Sequence, residues 1–434
     1  MLAWGSGKSD RRTNQTVAGI QNPKEDSMSS NNSRTTMGAR LHASICLLGL
    51  LSLFAMQASA QHVHQLLYNN YNWTDQSLAG QPAEYEGGWP FGNEAFTTNP
   101  NNQVHVYYVG ADLHVHQRTQ SQIRFFALPR WVDEDLTQET GAPYIDTTTS
   151  LSGFSEGNFQ YLFYGRITDG DIYMLFYDNS KWTYQDISAA AGYTGMANPS
   201  DTVVAFTTTP NNQIHVYYLV WNYQEDTTSV HQLFFNGTSW SDEDLTAETG
   251  AFFPEGGWWT GFSIENYQYL FYSDVYGYLH ELYYNNSNWT DVDLTVQIGA
   301  PTLGGFAPMT AFVVPGTQTM ELFYTTGGGD IYQISSSDNV SWSQQDLTTL
   351  THGPSASTAD AIAAFATTPN NQLHVYYIHD IALLEGHVNQ LFFNGSSWSN
   401  QDLTSATHAA NAYDFEGMSG FSLGNYQYVY YVGK

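Results

Sequence analysis

Beyond residue 60 the chain reads as short runs in which apolar and polar positions alternate, each run closed by Asn, Gly or Pro. Alternation of period two sends successive side chains to opposite faces of a pleated ribbon, so these runs are predicted strands, and no stretch keeps a helical period. Residues 205–246 show the plan: AFTT, a TPNNQ turn, IHVYYLV, a polar hairpin, VHQLFFN, a tight NGTS turn and finally WSDEDLT. Such a meander is one small antiparallel sheet with aromatic side chains to bury.

That unit recurs. Its last strand carries a Trp followed four residues later by Asp-Leu-Thr or a close variant, at Trp131, Trp182, Trp240, Trp289, Trp342 and Trp398, with a degenerate copy at Trp73, seven in all. Successive spacings of 58, 51, 58, 49, 53 and 56 residues fit four-stranded propeller blades and are too long for most helical repeats. Two flavours alternate: AFTT-type first strands from Ala95, Ala205 and Ala364, and GFS-type first strands from Gly153, Gly261 and Gly420. An odd total must break the alternation once, and the unit around Ala311 does so. The chain starts with only the last two strands of a unit, HVHQLLYN and NWTDQSLA, and stops after the first two, GFSLG and YQYVYYVGK. The expected architecture is therefore all-β, a seven-bladed β-propeller with four-stranded blades. Its ring is closed by N- and C-terminal strands in one shared blade, which removes open sheet edges.

Residues 37–60 follow another pattern. Arg40 precedes a 12-residue apolar run, Ile45 to Met56, that ends in Ala58-Ser59-Ala60. This is the layout of a signal peptide, with Met37 as its start and residues 1–36 as a polar, non-native or disordered extension. Residues 61–434 are then the mature propeller, secreted or periplasmic. The single cysteine, Cys46, falls inside the signal, so the propeller is expected to have neither disulfides nor thiolate metal sites. No other apolar run approaches the ~18 residues of a membrane span.

Charge narrows the ligand class. Lys and Arg total 12 against 41 Asp and Glu, a formal net charge of -29, and six of the cations precede residue 61. So few cations cannot neutralise a phosphate backbone or dock on anionic lipid, which sets aside nucleic acid and leaves neutral or cationic ligands.

The strand pair HVYY and VHQLFF or LHELYY, followed by NxxW and DLT, resembles the repeat of the fungal fucose-binding lectin family and its bacterial β-propeller lectin relatives. The likeness spans nearly all of residues 61–434. It implies a multivalent carbohydrate-binding protein with no cofactor, whose partners are saccharides or glycoconjugates bound between adjacent blades. There an Arg on the second strand and a Glu on the third hydrogen-bond sugar hydroxyls while an aromatic ring covers the sugar's apolar face. This chain departs from that pattern. The Arg position holds His105, Tyr161, His215, Tyr269, Glu321, His374 and Tyr428; the Glu position holds Gln65, Met174, Gln232, Glu281, Gln333 and Gln390. The family also has six blades rather than seven. In the first complete unit the spacing from Phe125-Phe126 to Trp131 aligns QIRFF as the third strand and leaves Val115 to Gln117 in a hairpin.

A neutral sugar needs paired donors and acceptors for its hydroxyls and a ring for its C–H face, which His, Gln, Tyr and Trp supply without net charge. The candidate ligand-binding residues are accordingly Glu281 with Tyr269 and Trp289, His215 with Gln232 and Trp240, and His374 with Gln390 and Trp398. Glu281 leads because it alone keeps the family's carboxylate, which would accept charge-assisted bonds. The same Trp column also reads as core between blades, and the His and Gln columns as a hydrogen-bonded ladder inside the sheets. Aromatic connectors around Trp89 and Trp258 are the alternative recognition surface.

Enzyme and metal readings are weaker. Gly153-Phe154-Ser155-Glu156-Gly157 and the equivalent from Gly420 match G-x-S-x-G, but that motif works at a strand-to-helix turn, not in a repeated first strand. A glycoside hydrolase needs two carboxylates across a cleft, whereas the acids cluster in repeating DxDLT ends such as Asp242 and Asp244 or Asp291 and Asp293, where repetition points to turn or surface duty. His62/His64 and His114/His116 would share a strand face, yet neither pair has a carboxylate at a recognisable spacing. The chain is thus expected to be non-catalytic and without a metal, with a protein-interaction scaffold as the other reading.

Overall fold

The computed structural model describes residues 61–434 except 79–92, 121–130, 146–149, 167, 194–202, 223–226, 252–253, 255–258, 306, 359, 383–384 and 414–416. The expected extension at 1–36, the expected signal peptide at 37–60 and the connector tips carrying Trp89 and Trp258 lie outside the described residues. The described part belongs to one compact unit, Ser59–Lys434.

Seven antiparallel four-stranded sheets make up this unit. Blades 1 to 6 begin with the first strands Glu94–Thr98, Ser152–Glu156, Val204–Thr208, Thr260–Ile264, Met309–Val313 and Ile362–Thr367. Blade 7 combines Met418–Leu423 and Tyr426–Gly433 with His62–Tyr68 and Trp73–Ser77, so the termini share a sheet as the half-units require. First strands of successive blades pack on one another all the way round, from blade 7 back to blade 1, which closes the ring with these strands innermost.

The two flavours have a steric cause. A side chain at Gly153, Gly261 or Gly420 would come within 2.7–2.8 Å of the carbonyl of Tyr161, Tyr269 or Tyr428 on the second strand of its own blade, and within 3.0–3.1 Å of the ring of Phe96, Phe206 or Phe365 from the preceding blade. The AFTT-type strand supplies the phenyl and the GFS-type strand the space for it. The serine after each of these glycines laces the same seam: Ser155, Ser263 and Ser422 donate to the carbonyls of Thr97, Thr207 and Ala366 one blade back. Ser155 and Ser422 are thus hydrogen-bonded to backbone within a strand.

The DLT signature is a helix start, a feature its brevity hid from periodicity. In Leu245–Thr249 and its counterparts, one helical turn follows the fourth strand. Asp244 is the N-cap, accepting from the Ala247 amide at 2.8 Å, which satisfies one of the free N–H groups of the first turn. Leu245 is fully buried. Thr246 accepts the amide of Val230 at 2.8 Å, tying the turn to the third strand of its own blade. Asp135, Asp186, Asp293, Asp346 and Asp402 cap in the same way.

The earlier acid of DxD is not a surface group. Asp242 accepts from the Tyr218 hydroxyl at 2.6 Å and lies 3.1 Å from His231; Asp291 repeats this with Tyr272 and His280. These trios sit at a blade interface, where the polar ends of buried aromatics need partners.

Candidate functional site

Side chains on the second and third strands of a blade that line its cleft face the following blade, whereas the Trp of the fourth strand faces the preceding one. Trp182, Trp289 and Trp73 stand edge-on to Tyr107, Tyr217 and Tyr376 of the blade before, with ring centroids 6.0–6.2 Å apart. These three interfaces are therefore built from the His and Gln columns of one blade and the Trp of the next. His215 and Gln232 meet Trp289, not the Trp240 of their own blade. His374 and Gln390 meet Trp73, while Trp398 packs against Phe323 at the preceding interface. Trp240 joins a buried cluster with Phe163 and Met174 of blade 2.

Three interfaces, blades 1–2, 3–4 and 6–7, carry the same buried polar set. In the second of them Gln232 Nε2 donates to His215 Nδ1 and the Tyr217 hydroxyl to Gln268, and His215 Nε2 pairs with Thr208. His374, Gln390, Tyr376, Gln427 and Thr367 repeat the pattern, as do His105, Gln117, Tyr107, Gln160 and Thr98. Burial pushes the imidazoles down to about 3 for His215 and His374 and about 4 for His105, so all three are neutral at physiological pH. Neutral His with both nitrogens engaged is the hydrogen-bonded ladder that the sequence allowed.

What differs is the cover. Phe234 stacks on His215 with centroids 5.1 Å apart, and Phe392 on His374 at 4.9 Å. The third strand of blade 1 is Val115–Gln120, paired on both sides. This corrects the alignment of QIRFF as that strand: all of it falls in 121–130, outside the described residues, and Val115 to Gln117 are strand rather than hairpin. The error came from matching Phe125-Phe126 to the Phe pair of VHQLFF, when this blade has VHQRTQ. The position of Phe234 and Phe392 is thus Thr119, and a cleft of about 300 Å³ opens beside it, lined by His105, Gln117, Gln160, Tyr177 and Trp182. Glu134 stands at its edge, its carboxyl pushed up by burial and by the nearby acids Glu139 and Asp133. Of these residues none was among the leading sequence candidates. The broken VHQLFF motif was the signal for Thr119.

A second cleft, of about 270 Å³, lies between blades 4 and 5. Tyr269 and Tyr283 stack with centroids 5.0 Å apart, Tyr267 extends the stack at 6.1 Å, and Gln318 and Asn339 complete the wall. Tyr269 of the sequence-based pair lines this cleft, whereas Trp289 belongs to the other face of blade 4. Glu281 is buried beside Tyr269 and bonded to the Asn339 side chain; burial pushes its carboxyl up to about 8. Its Oε1 has no hydrogen-bond partner among the described residues. With its carboxyl raised to about 8, Glu281 favours the neutral form at pH 7 rather than the carboxylate expected from the sequence, and it is buried beneath the cleft rather than among the residues that line it.

Among the connector aromatics, Trp259 is core, packed with Leu270 and Tyr272, and Tyr413 lies under the Lys434 ammonium at 5.0 Å. The histidine pairs do have carboxylates beside them: His64 lies 3.1 Å from Asp75, and His114 and His116 lie 2.8 and 3.2 Å from Asp135 and Asp112. The strand pairing that brings Asp75 and Asp135 in is not visible as a spacing.

No family model matches the sequence, and no curated protein matches it either. Solved structures do. The lectin BP39L from Burkholderia pseudomallei superposes with a TM-score of 0.53 at 15% identity, over 75% of this chain and 89% of that one. AofleA from Arthrobotrys oligospora superposes with a TM-score of 0.50 at 12% identity, over 86% of this chain and 94% of that one. The chain thus shares its propeller fold with a bacterial lectin and with a fungal protein of the same architecture.

Proposed function

We propose that this ring is a lectin: a non-catalytic protein that binds neutral saccharides in clefts between blades. The observation that carries the reading is the blade 1–2 cleft, where Thr119 replaces the stacking phenylalanine and leaves His105, Gln117 and Gln160 beside Trp182 and Tyr177. A polar floor of neutral donors and acceptors next to aromatic walls suits a ligand with hydroxyls on one side and C–H groups on the other. The blade 4–5 cleft, with its tyrosine stack, is the second site. A lectin among the structural neighbours supports the same reading. The apolar run ending at Ala58-Ser59-Ala60 supports export, so the ring would meet glycans outside the cytoplasm.

The test is a glycan array followed by calorimetry with the monosaccharide selected. Two sites per chain are expected. Thr119→Phe, which restores the cover found in blades 3 and 6, should remove one of them and leave the other unchanged. Stoichiometry unaffected by Thr119→Phe, or no glycan bound at all, would overturn the assignment.

A further inference from the structure

Blade 1 departs from the other blades at its opposite end as well. In blades 3, 4 and 7 a third-strand histidine pairs with the first acid of the fourth strand, as in His231 with Asp242. Blade 1 keeps that pair as His116 and Asp133, 3.3 Å apart through Nδ1. On the Nε2 side of this histidine position blade 3 brings its helix cap, Asp244, to 3.7 Å and blade 4 a turn acid, Asp274, to 3.6 Å; blade 1 combines both kinds, Asp112 from the turn joining the second and third strands and Asp135, the helix cap. One donor atom each from Asp112, His116 and Asp135 falls within 4.8 Å of the others. We propose that these three residues bind a divalent first-row metal ion such as zinc, with His114 at the edge of the same cluster.

The separations suit the ion. Donors 2.0–2.1 Å from a tetrahedral zinc stand about 3.3 Å apart. His116 Nε2 lies 3.2 and 3.3 Å from the two Asp112 oxygens. His114 Nδ1 lies 2.8 Å from Asp135 Oδ2 and 3.8 Å from Asp112 Oδ2. The donors are also oriented from behind. Asp135 Oδ1 is used by the Gln138 amide and Asp112 Oδ1 accepts the His114 amide, so the other oxygen of each carboxylate faces an imidazole nitrogen of the cluster, Asp135 Oδ2 that of His114 and Asp112 Oδ2 that of His116, contacts that a shared ion would replace. Asp133 holds His116 through Nδ1 and directs Nε2 at the cluster, the carboxylate–histidine arrangement that fixes the tautomer of a metal-bound imidazole.

Charge and space agree. Arg118 lies 3.3 Å from Asp133 and balances it, which leaves the two charges of Asp112 and Asp135 facing a divalent ion. Gly110 covers the cluster without a side chain: a Cβ there would stand 2.6 Å from Asp112 Oδ1 and 2.8 Å from His116 Nε2. A mixed imidazole and carboxylate set favours zinc and its first-row neighbours over calcium, which takes six to eight oxygens. The cluster lies away from the blade 1–2 cleft, at the far end of the same strands, so it is a site separate from the saccharide reading.

The test uses the full chain, stripped with chelator and titrated with Zn²⁺ by calorimetry, with Co²⁺ absorption reporting coordination. One tight equivalent is expected, with a zinc-dependent rise in thermal midpoint. Asp112→Asn, at an exposed turn position, should weaken binding at least about 100-fold, the upper end of what losing only a second-sphere partner does. It should also abolish the Co²⁺ band. If that variant fails to fold, His114→Ala, expected to lower affinity while retaining one equivalent, takes its place. His387→Gln, whose imidazole pairs with Asp402, should leave affinity and spectrum unchanged. Absence of Zn²⁺ binding, binding equal to wild type in both cluster variants, or loss of binding in His387→Gln would each overturn the proposal.

Discussion

Replacing Glu281 by Gln should stabilise the ring in a pH-dependent manner. Burial raises the Glu281 carboxyl from 4.5 to about 8. Its folded-state value thus exceeds its unfolded one, and the folded state binds the proton more tightly. Below about pH 4.5 both states are protonated and nothing is lost. As pH rises towards 8 the unfolded chain releases the proton first, so stability falls; above about 8 the penalty is constant. At 1.36 kcal/mol per unit, the full penalty is of order 5 kcal/mol, of which about 4 kcal/mol develops between pH 5 and 8. Glutamine carries none of it. With an unfolding entropy of roughly 2.1 cal/mol/K per residue, a ring spanning residues 61–434 changes its midpoint by about 1.3 °C per kcal/mol. The difference in thermal midpoint between Glu281→Gln and wild type should therefore widen by about 5 °C from pH 5 to pH 8. Scanning calorimetry of both proteins across that range measures it, and contributions from Glu321, also raised by burial, cancel in the subtraction. Parallel curves would mean that Glu281 ionises as freely in the ring as in the unfolded chain, refuting the picture of a neutral, buried carboxyl beneath the tyrosine cleft.

Deleting residues 420–434 should unpair His62–Tyr68 from Tyr426–Gly433 and abolish the cooperative melt; a truncated chain that unfolds like the intact one would contradict closure through blade 7. Asp244→Ala removes a helix cap and should cost about 1 kcal/mol, read as a shift in denaturant midpoint with an unchanged slope. N-terminal sequencing of exported material should find Gln61 first, and exported protein beginning at Met1 or Met37 would count against the signal at 37–60.

The ring was legible in the sequence because its determinants are local and repeated. The Trp-to-DLT spacing, the half-units at the ends and the alternation of Ala and Gly before Phe each point to the same sheet plan. What the Gly was for was not legible, since Phe96 and Gly153 are far apart in the chain and touch only across a blade seam. Site residues were harder for the same reason. Reading along one repeat groups His215 with Trp240, whereas the fold stacks His215 on Tyr217, which stands edge-on to Trp289 of the next blade. Repetition also misdirected attention: the best cleft is where the repeat fails, at Thr119, and an alignment that forces the repeat onto QIRFF conceals it. Ionisation of Glu281 was beyond the sequence altogether, because it depends on how completely two blades exclude water.

The shared blade also sets a clock. Gln65 and its hydrogen-bond partner Tyr430 are 365 residues apart, and synthesis at about 5–20 residues per second separates their emergence by roughly 20–70 s. Over that interval the first hairpin lacks its blade-7 partner strand, while blades 1 to 6 are made one after another. The ring is thus completed only once Tyr426–Gly433 has been made, and whatever keeps the first hairpin from pairing elsewhere until then should raise the yield of closed rings.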